Sequence, residues 1–187
     1  MVPLNVPNVL TVIRILLVPV VVVALLDKTS GGDLLAAIVF ATASLTDAID
    51  GYLARSRNWV TTFGKLMDPI ADKLLIVAAL ISLVSLGRLE AWIAMVIIAR
   101  EFAVTVLRVA VGTQQQVVIA ASMLGKLKTA VQVAMVIALI AVHGRPLWLS
   151  LLIYVTVAVT VVSGADYFFG VRRGMAGSRA GAQRQGT

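Results

Sequence analysis

The sequence predicts an all-α integral membrane protein with six transmembrane helices and both termini in the cytoplasm. Three observations lead there. Of 187 residues, 60% are hydrophobic and only 13% charged, whereas soluble domains run about 45–50% apolar and about 25% charged. The apolar residues form continuous runs, not the alternating pattern of a membrane β-barrel strand. Lysines and arginines gather on alternate links between those runs. One spanning helix takes about 20 apolar residues, so six use roughly 120 and leave only short loops. No stretch is polar enough to form a separate water-soluble domain, which excludes a soluble enzyme carried on a single anchor.

The runs follow one another with clear punctuation. The first, 8–26, contains Arg14 and has no Lys or Arg before it, so it reads as a retained helix and not as a signal peptide. The turn-like segment 27–33, rich in Asp, Ser and Gly, separates it from the second run, 34–55. A short polar link leads to the third, 63–86, which Gly87-Arg88-Leu89-Glu90 closes. The fourth, 91–111, gives way to a polar connection beginning at Gly112, and the fifth, 122–142, ends at His143-Gly144-Arg145-Pro146. The sixth covers 147–170. Residues 171–187 are rich in Gly, Ala, Arg and Gln without apolar periodicity, and read as a basic, disordered cytoplasmic tail after a six-helix domain at 1–170.

Arg55, Arg57, Lys65, Lys126, Lys128, Arg172, Arg173, Arg179 and Arg184 fall on one side of this map; Lys28, Arg88 and Arg145 fall on the other. Basic residues stay cytoplasmic, which places both termini there and requires an even number of spans. The net charge of +7 then reflects cytoplasmic loops facing anionic lipid. Nucleic acid is not an expected partner, since no basic groove with interleaved aromatics is present. The chain has no cysteine and one histidine, His143, which excludes disulfides, thiolate nucleophiles and Cys- or His-rich metal sites.

Charged residues inside apolar runs carry the chemistry, since each costs about 2.5–3.5 kcal/mol at a helix centre. The second run holds Asp47 and Asp50, followed by Gly51, Ala54 and Arg55; the third holds Gly64, Asp68 and Asp72. Residues three and four apart share a helix face, so each set forms a stripe. The short link makes the two helices antiparallel, and their stripes meet near the cytoplasmic surface. Four converging carboxylates with no Cys or His suit a hard divalent ion, Mg²⁺ or Mn²⁺. Two such ions about 3.5–4 Å apart form the clamp of phosphoryl-transfer chemistry. The glycines leave room for a phosphate or nucleotide to approach the backbone. The plainer reading, interfacial ion pairs with Arg55, Arg57, Lys65 and Lys73, accounts for any one Asp but poorly for four on two faces.

Asp47-Ala-Ile-Asp50-Gly51-Tyr-Leu-Ala54-Arg55, then Gly64, Asp68 and Asp72 at their spacings, resembles the signature of the CDP-alcohol phosphatidyltransferases at every fixed position. The resemblance extends along most of the chain. The segments from Asn8 through Thr11 and Arg14 to Pro19, Ala99-Arg100-Glu101 leading to Arg108, Gly125-Lys126-Leu127-Lys128-Thr129 with Gln132, and Ser163-Gly164 to Tyr167 are similar to family members whose acceptor is glycerol 3-phosphate. It implies a six-helix homodimer that transfers a phosphatidyl group from CDP-diacylglycerol to an alcohol and releases CMP. Two divalent cations, Mg²⁺ or Mn²⁺, would be held by Asp47, Asp50, Asp68 and Asp72, with Asp72 also the general base. Asp50, Gly51, Ala54, Arg55 and Gly64 would bind CDP-diacylglycerol, whose acyl tails remain among the membrane lipids.

For a glycerol 3-phosphate acceptor, Arg14, Arg108, Lys126, Lys128 and Thr129 are the candidate phosphate ligands. Basic residues at cytoplasmic helix ends are also ordinary topology anchors. Arg100 and Glu101, deep in the fourth run, read first as a buried ion pair or a bond to a neighbouring helix. The signature leaves the acceptor open, with inositol phosphate and phosphatidylglycerol as the other choices. A cation carrier is the competing class, with intramembrane acids lining an ion path. The two classes separate in one experiment. Chelating divalent metal is expected to abolish CMP release in CDP-diacylglycerol micelles, and Asp72→Asn to lower it by about 10²–10⁴-fold, with no ion flux in liposomes.

Overall fold

A computed structural model describes the backbone of residues 6–27, 31–57, 62–115 and 123–185, and the side chains of residues 9–27, 31–46, 70–71, 73–108 and 123–171. Those residues form six helices and no strand: α1 (Val6–Leu26), α2 (Gly32–Arg57), α3 (Thr62–Ser85), α4 (Ala91–Gln115), α5 (Met123–Ala141) and α6 (Leu147–Gln185). Each coincides with one apolar run of the sequence. The sequence ends the sixth segment at Gly170, but the α6 backbone continues to Gln185; Ala, Arg and Gln, frequent there, are good helix formers.

Among the described residues, three helices contain stretches long and apolar enough to cross a membrane: Val9–Leu26, Met123–Ala141 and Leu147–Val171. Shorter apolar stretches, Gly32–Thr46 and Lys73–Ser85, belong to α2 and α3.

The turns show how the chain alternates. Arg88, in the α3–α4 turn, donates to both carboxylate oxygens of Asp33 at the start of α2, at 3.0 and 2.7 Å, and to the Ile140 carbonyl near the end of α5 at 3.0 Å. His143 Nε2, in the α5–α6 turn, lies 2.8 Å from Asp33 Oδ2, and Arg145 of the same turn pairs with Glu90. The turns between α1 and α2, α3 and α4, and α5 and α6 therefore meet at one end of the bundle. The signature segments of α2 and α3, the N-terminal half of α1 and the C-terminal halves of α4 and α6 point to the other.

Two glycines make the turn end possible. Gly87 adopts φ of 67° and closes α3 with paired bonds, Arg88 N–H to the Leu83 carbonyl at 2.9 Å and Gly87 N–H to the Val84 carbonyl at 3.0 Å, the Schellman arrangement that favours glycine. Gly32 lets α2 start against the end of α1; a Cβ there would fall 2.6 Å from the Ala24 carbonyl oxygen.

Behind the turns lies a continuous apolar core. Phe40 of α2, Leu80 and Leu83 of α3, Ile93 and Ile97 of α4, Met135 and Leu139 of α5 and Leu149 of α6 are buried together. Helix α1 packs against both α2 and α3, α5 against α6 and α2, and α4 against α6 and α3. Among the described residues α2 and α3 touch each other little, because α1 fills the space beside both. Large apolar side chains such as Leu16, Val23, Leu34, Met95, Val106 and Leu151 are exposed on the outside, as an apolar solvent permits. Trp92 and Trp148 stand half-exposed near the turn end, where amphipathic rings suit a membrane–water interface.

Arg88 holds the Asp33 carboxyl below the usual carboxylate range, chiefly through its hydrogen bonds and against the opposing effect of burial. A depressed carboxyl contributes stability above its unfolded pKa and loses it as pH falls through the lower folded value. Arg88→Met is expected to cost about 1.5–3 kcal/mol at neutral pH. In thermal melts of the detergent-solubilised protein, the gap to wild type should close as pH drops below about 3.9.

Candidate active site

The signature residues lie on unbroken helical backbone. Helix α2 carries Asp47, Asp50, Gly51, Ala54 and Arg55; α3 carries Gly64, Asp68 and Asp72. At 3.6 residues per turn backbone positions 47, 50, 51 and 54 of α2 lie along one face, and positions 64, 68 and 72 of α3 along another. The side chains at these eight positions lie outside the described residues. Among the described residues, no group of three His, Cys, Asp or Glu side chains gathers as a cation site. The donor set the two helices offer at the signature is all oxygen, and it fits a hard divalent ion rather than zinc or copper.

The described side chains build a polar cluster across α3, α4, α5 and α6. Glu101 of α4 lies about 15 Å along the axis from Ala91 at the helix start and is 7% exposed. Its Oε2 accepts from Lys73 of α3 at 3.2 Å; its Oε1 accepts from Arg100 at 3.2 Å and from Lys128 of α5. Arg100 extends through NH2 to Ser163 Oγ of α6 at 2.8 Å, and Ser163 donates to the Thr160 carbonyl at 3.2 Å. Gly164 makes room for that reach, since a Cβ there would lie 3.2 Å from Arg100 Cγ. One carboxylate thus ties α3, α4 and α5, and Arg100 carries the link to α6; among the described residues three cations face this one carboxylate.

The structure divides the candidate acceptor ligands. Lys128 is 3% exposed and belongs to the Glu101 cluster; Arg14 of α1 is 4% exposed. Lys126 and Thr129 are exposed, and the Thr129 hydroxyl donates to the Gly125 carbonyl at 3.1 Å. Positions two apart on a helix differ by about 200°, so Lys126 and Lys128 face different directions. Arg108 is exposed, with its guanidinium carbon 5.6 Å from the centre of the Tyr167 ring, a cation–π contact.

Arg100 and Glu101 form the expected pair, but the pair is only part of a larger cluster. Sequence reasoning assigned Lys73 to a possible aspartate partner, and gave Ser163 and Gln132 no role. Gln132 is 2% exposed, with its Oε1 buried and without a hydrogen-bond partner among the described residues. The signal for these residues was the cost of an intramembrane charge: a lone Glu in an apolar run demands cations on neighbouring helices at the same depth. The 450 Å³ cavity bounded by Pro19, Val23, Asp27 and Leu35 lies at the turn end, opposite the signature.

Known proteins resemble the chain along most of its length. The family model described as CDP-alcohol phosphatidyltransferase matches residues 4–162. The chain is 46% identical over 183 residues to the CDP-diacylglycerol–glycerol-3-phosphate 3-phosphatidyltransferase of Bacillus subtilis (strain 168), covering 88% of this chain and 93% of that one. It is 41% identical over 180 residues to the "Probable phosphatidylglycerophosphate synthase" of Mycobacterium tuberculosis (strain ATCC 25618 / H37Rv), covering 94% and 85%. A Rickettsia felis protein with the same name as the Bacillus one is 36% identical over 170 residues, covering 88% and 93%.

Ser163→Ala takes away the interhelical acceptor of Arg100. It is expected to lower stability by about 0.5–1.5 kcal/mol, read as a reduced melting temperature in detergent.

Proposed function

The chain belongs to the CDP-alcohol phosphatidyltransferase family, and from that premise we propose that it is a membrane enzyme that makes phosphatidylglycerophosphate. It transfers a phosphatidyl group from CDP-diacylglycerol to glycerol 3-phosphate and releases CMP. The observation that carries the reading is the complete aspartate signature inside a match to relatives of that name along most of the chain. Membership of a transferase family removes the cation-carrier reading of the intramembrane acids.

In our reading Asp47, Asp50 and Asp68 hold two divalent cations, Mg²⁺ or Mn²⁺, with Asp72 contributing to the second. Bound there, the cations supply Lewis-acid neutralisation of the pyrophosphate charge. Asp72 takes the proton from the acceptor's primary hydroxyl as that oxygen bonds to the β-phosphorus of CDP-diacylglycerol. The bond from that phosphorus to the bridging oxygen breaks, and the electron pair leaves with CMP. Gly51, Ala54 and Gly64 give the pyrophosphate and cytidine close access to the helix backbones, beside Asp50 and Arg55. The diacyl tails stay in lipid, so only the head group enters the bundle.

The acceptor's phosphate needs cationic donors on the same side. Lys128 and Arg14, both buried at the signature end, are the best-placed of the candidates; Arg108, Lys126 and Thr129 are exposed and would meet the phosphate on its way in. Among the described residues three cations face the one carboxylate of Glu101, a surplus that suits a phosphate monoester dianion better than a phosphodiester acceptor such as phosphatidylglycerol. The membrane arrangement completes the reading: six spans in the cell membrane, both termini and the active site at the cytoplasmic face, residues 171–187 as a basic extension, and a homodimer as the resemblance implies.

Labelled glycerol 3-phosphate, inositol phosphate and phosphatidylglycerol, each supplied with CDP-diacylglycerol and Mg²⁺ in micelles, test the acceptor. Labelled lipid is expected from glycerol 3-phosphate alone. Turnover of another acceptor in its place would keep the chemistry and overturn the assignment.

A further inference from the structure

We propose that Glu101 is a positioning residue for the acceptor: its carboxylate holds Lys128, with Arg100 beside it, in the place where the acceptor's phosphate is received. The inference rests on the reading that Lys128 meets that phosphate.

A simple ion pair joins one cation to one carboxylate. Here a single carboxylate on α4 takes Lys128 and Arg100 on one oxygen and Lys73 on the other, with side-chain exposures of 9% for Glu101, 4% for Lys128 and 15% for both Lys73 and Arg100. An ammonium has three N–H donors; Glu101 occupies one on Lys128 and leaves the others to a second acceptor. Arg100 is held at both tips, NH1 by Glu101 and NH2 by Ser163. Three cations at this depth repel one another, and a lysine on its flexible four-carbon stem escapes such a place by snorkelling to the interface. Glu101 offsets the repulsion enough to assemble the cations in advance, and among the described residues three cations face its single carboxylate. That is preorganisation for a dianion: the ordering is complete before the ligand arrives.

The test uses the full-length enzyme in CDP-diacylglycerol micelles with Mg²⁺. Glu101→Gln is expected to raise KM for glycerol 3-phosphate at least about tenfold while KM for CDP-diacylglycerol stays within about twofold, a split that general loss of structure does not produce. Lys128→Met separates the two levels of the argument. If it leaves the acceptor KM unchanged, the phosphate reading of Lys128 fails and takes this proposal with it. If Lys128→Met raises that KM and Glu101→Gln does not, the positioning role alone is overturned. Where Glu101→Gln fails to fold, the double variant Glu101→Gln with Lys73→Met restores the cluster's net charge without restoring the tether on Lys128. Its acceptor KM is expected to remain raised. A wild-type KM in the double variant would show that Glu101 only balances charge.

Discussion

Charge buried among apolar helices has to be answered at the same depth by charge on another helix, and the bundle is organised around that demand. Glu101 is the centre of it. Its three cations come from α3, α4 and α5, and Arg100 carries the link on to α6. Removing one member of a buried ionic group costs about 3–5 kcal/mol, since the others are left uncompensated. The interaction thereby fixes both the rotation and the axial register of four helices. The apolar half of the bundle specifies no such register, because Leu, Ile, Val and Ala side chains pack in several alternatives of similar energy.

The two halves divide labour. At the turn end, full burial of Phe40, Leu80, Ile93 and Met135 supplies non-directional cohesion, and the Arg88–Asp33 fork ties the turns together. Deeper in the bundle, Glu101 and the cations of α3, α4 and α5 supply directional contacts between the helices.

Much of this was legible in the sequence. Six apolar runs correspond to six helices, because a run of that length with Gly and Pro at its ends has no other folded solution in an all-helical membrane chain. The aspartate spacing sits on continuous helix in α2 and α3. What could not be read was which helix faces which. The short link brings α2 and α3 together at stripes that lie outside the described residues, but nothing in it tells that α1 packs beside both. Lys126 and Lys128 stand two apart and look like one basic patch, but helical geometry sends one outward and the other to Glu101. The continuation of α6 beyond Gly170 was hidden too, because a composition of Ala, Arg, Gly and Gln serves a helix and a loose tail alike.

The fork from Arg88 has a mechanical meaning. It gathers the α1–α2, α3–α4 and α5–α6 turns at a common fulcrum, and each helix extends from it as a lever of 19 residues or more, about 28 Å at 1.5 Å per residue. A rotation of a few degrees at the fulcrum displaces the far tips by more than an ångström, while the apolar core beside the fulcrum hardly moves.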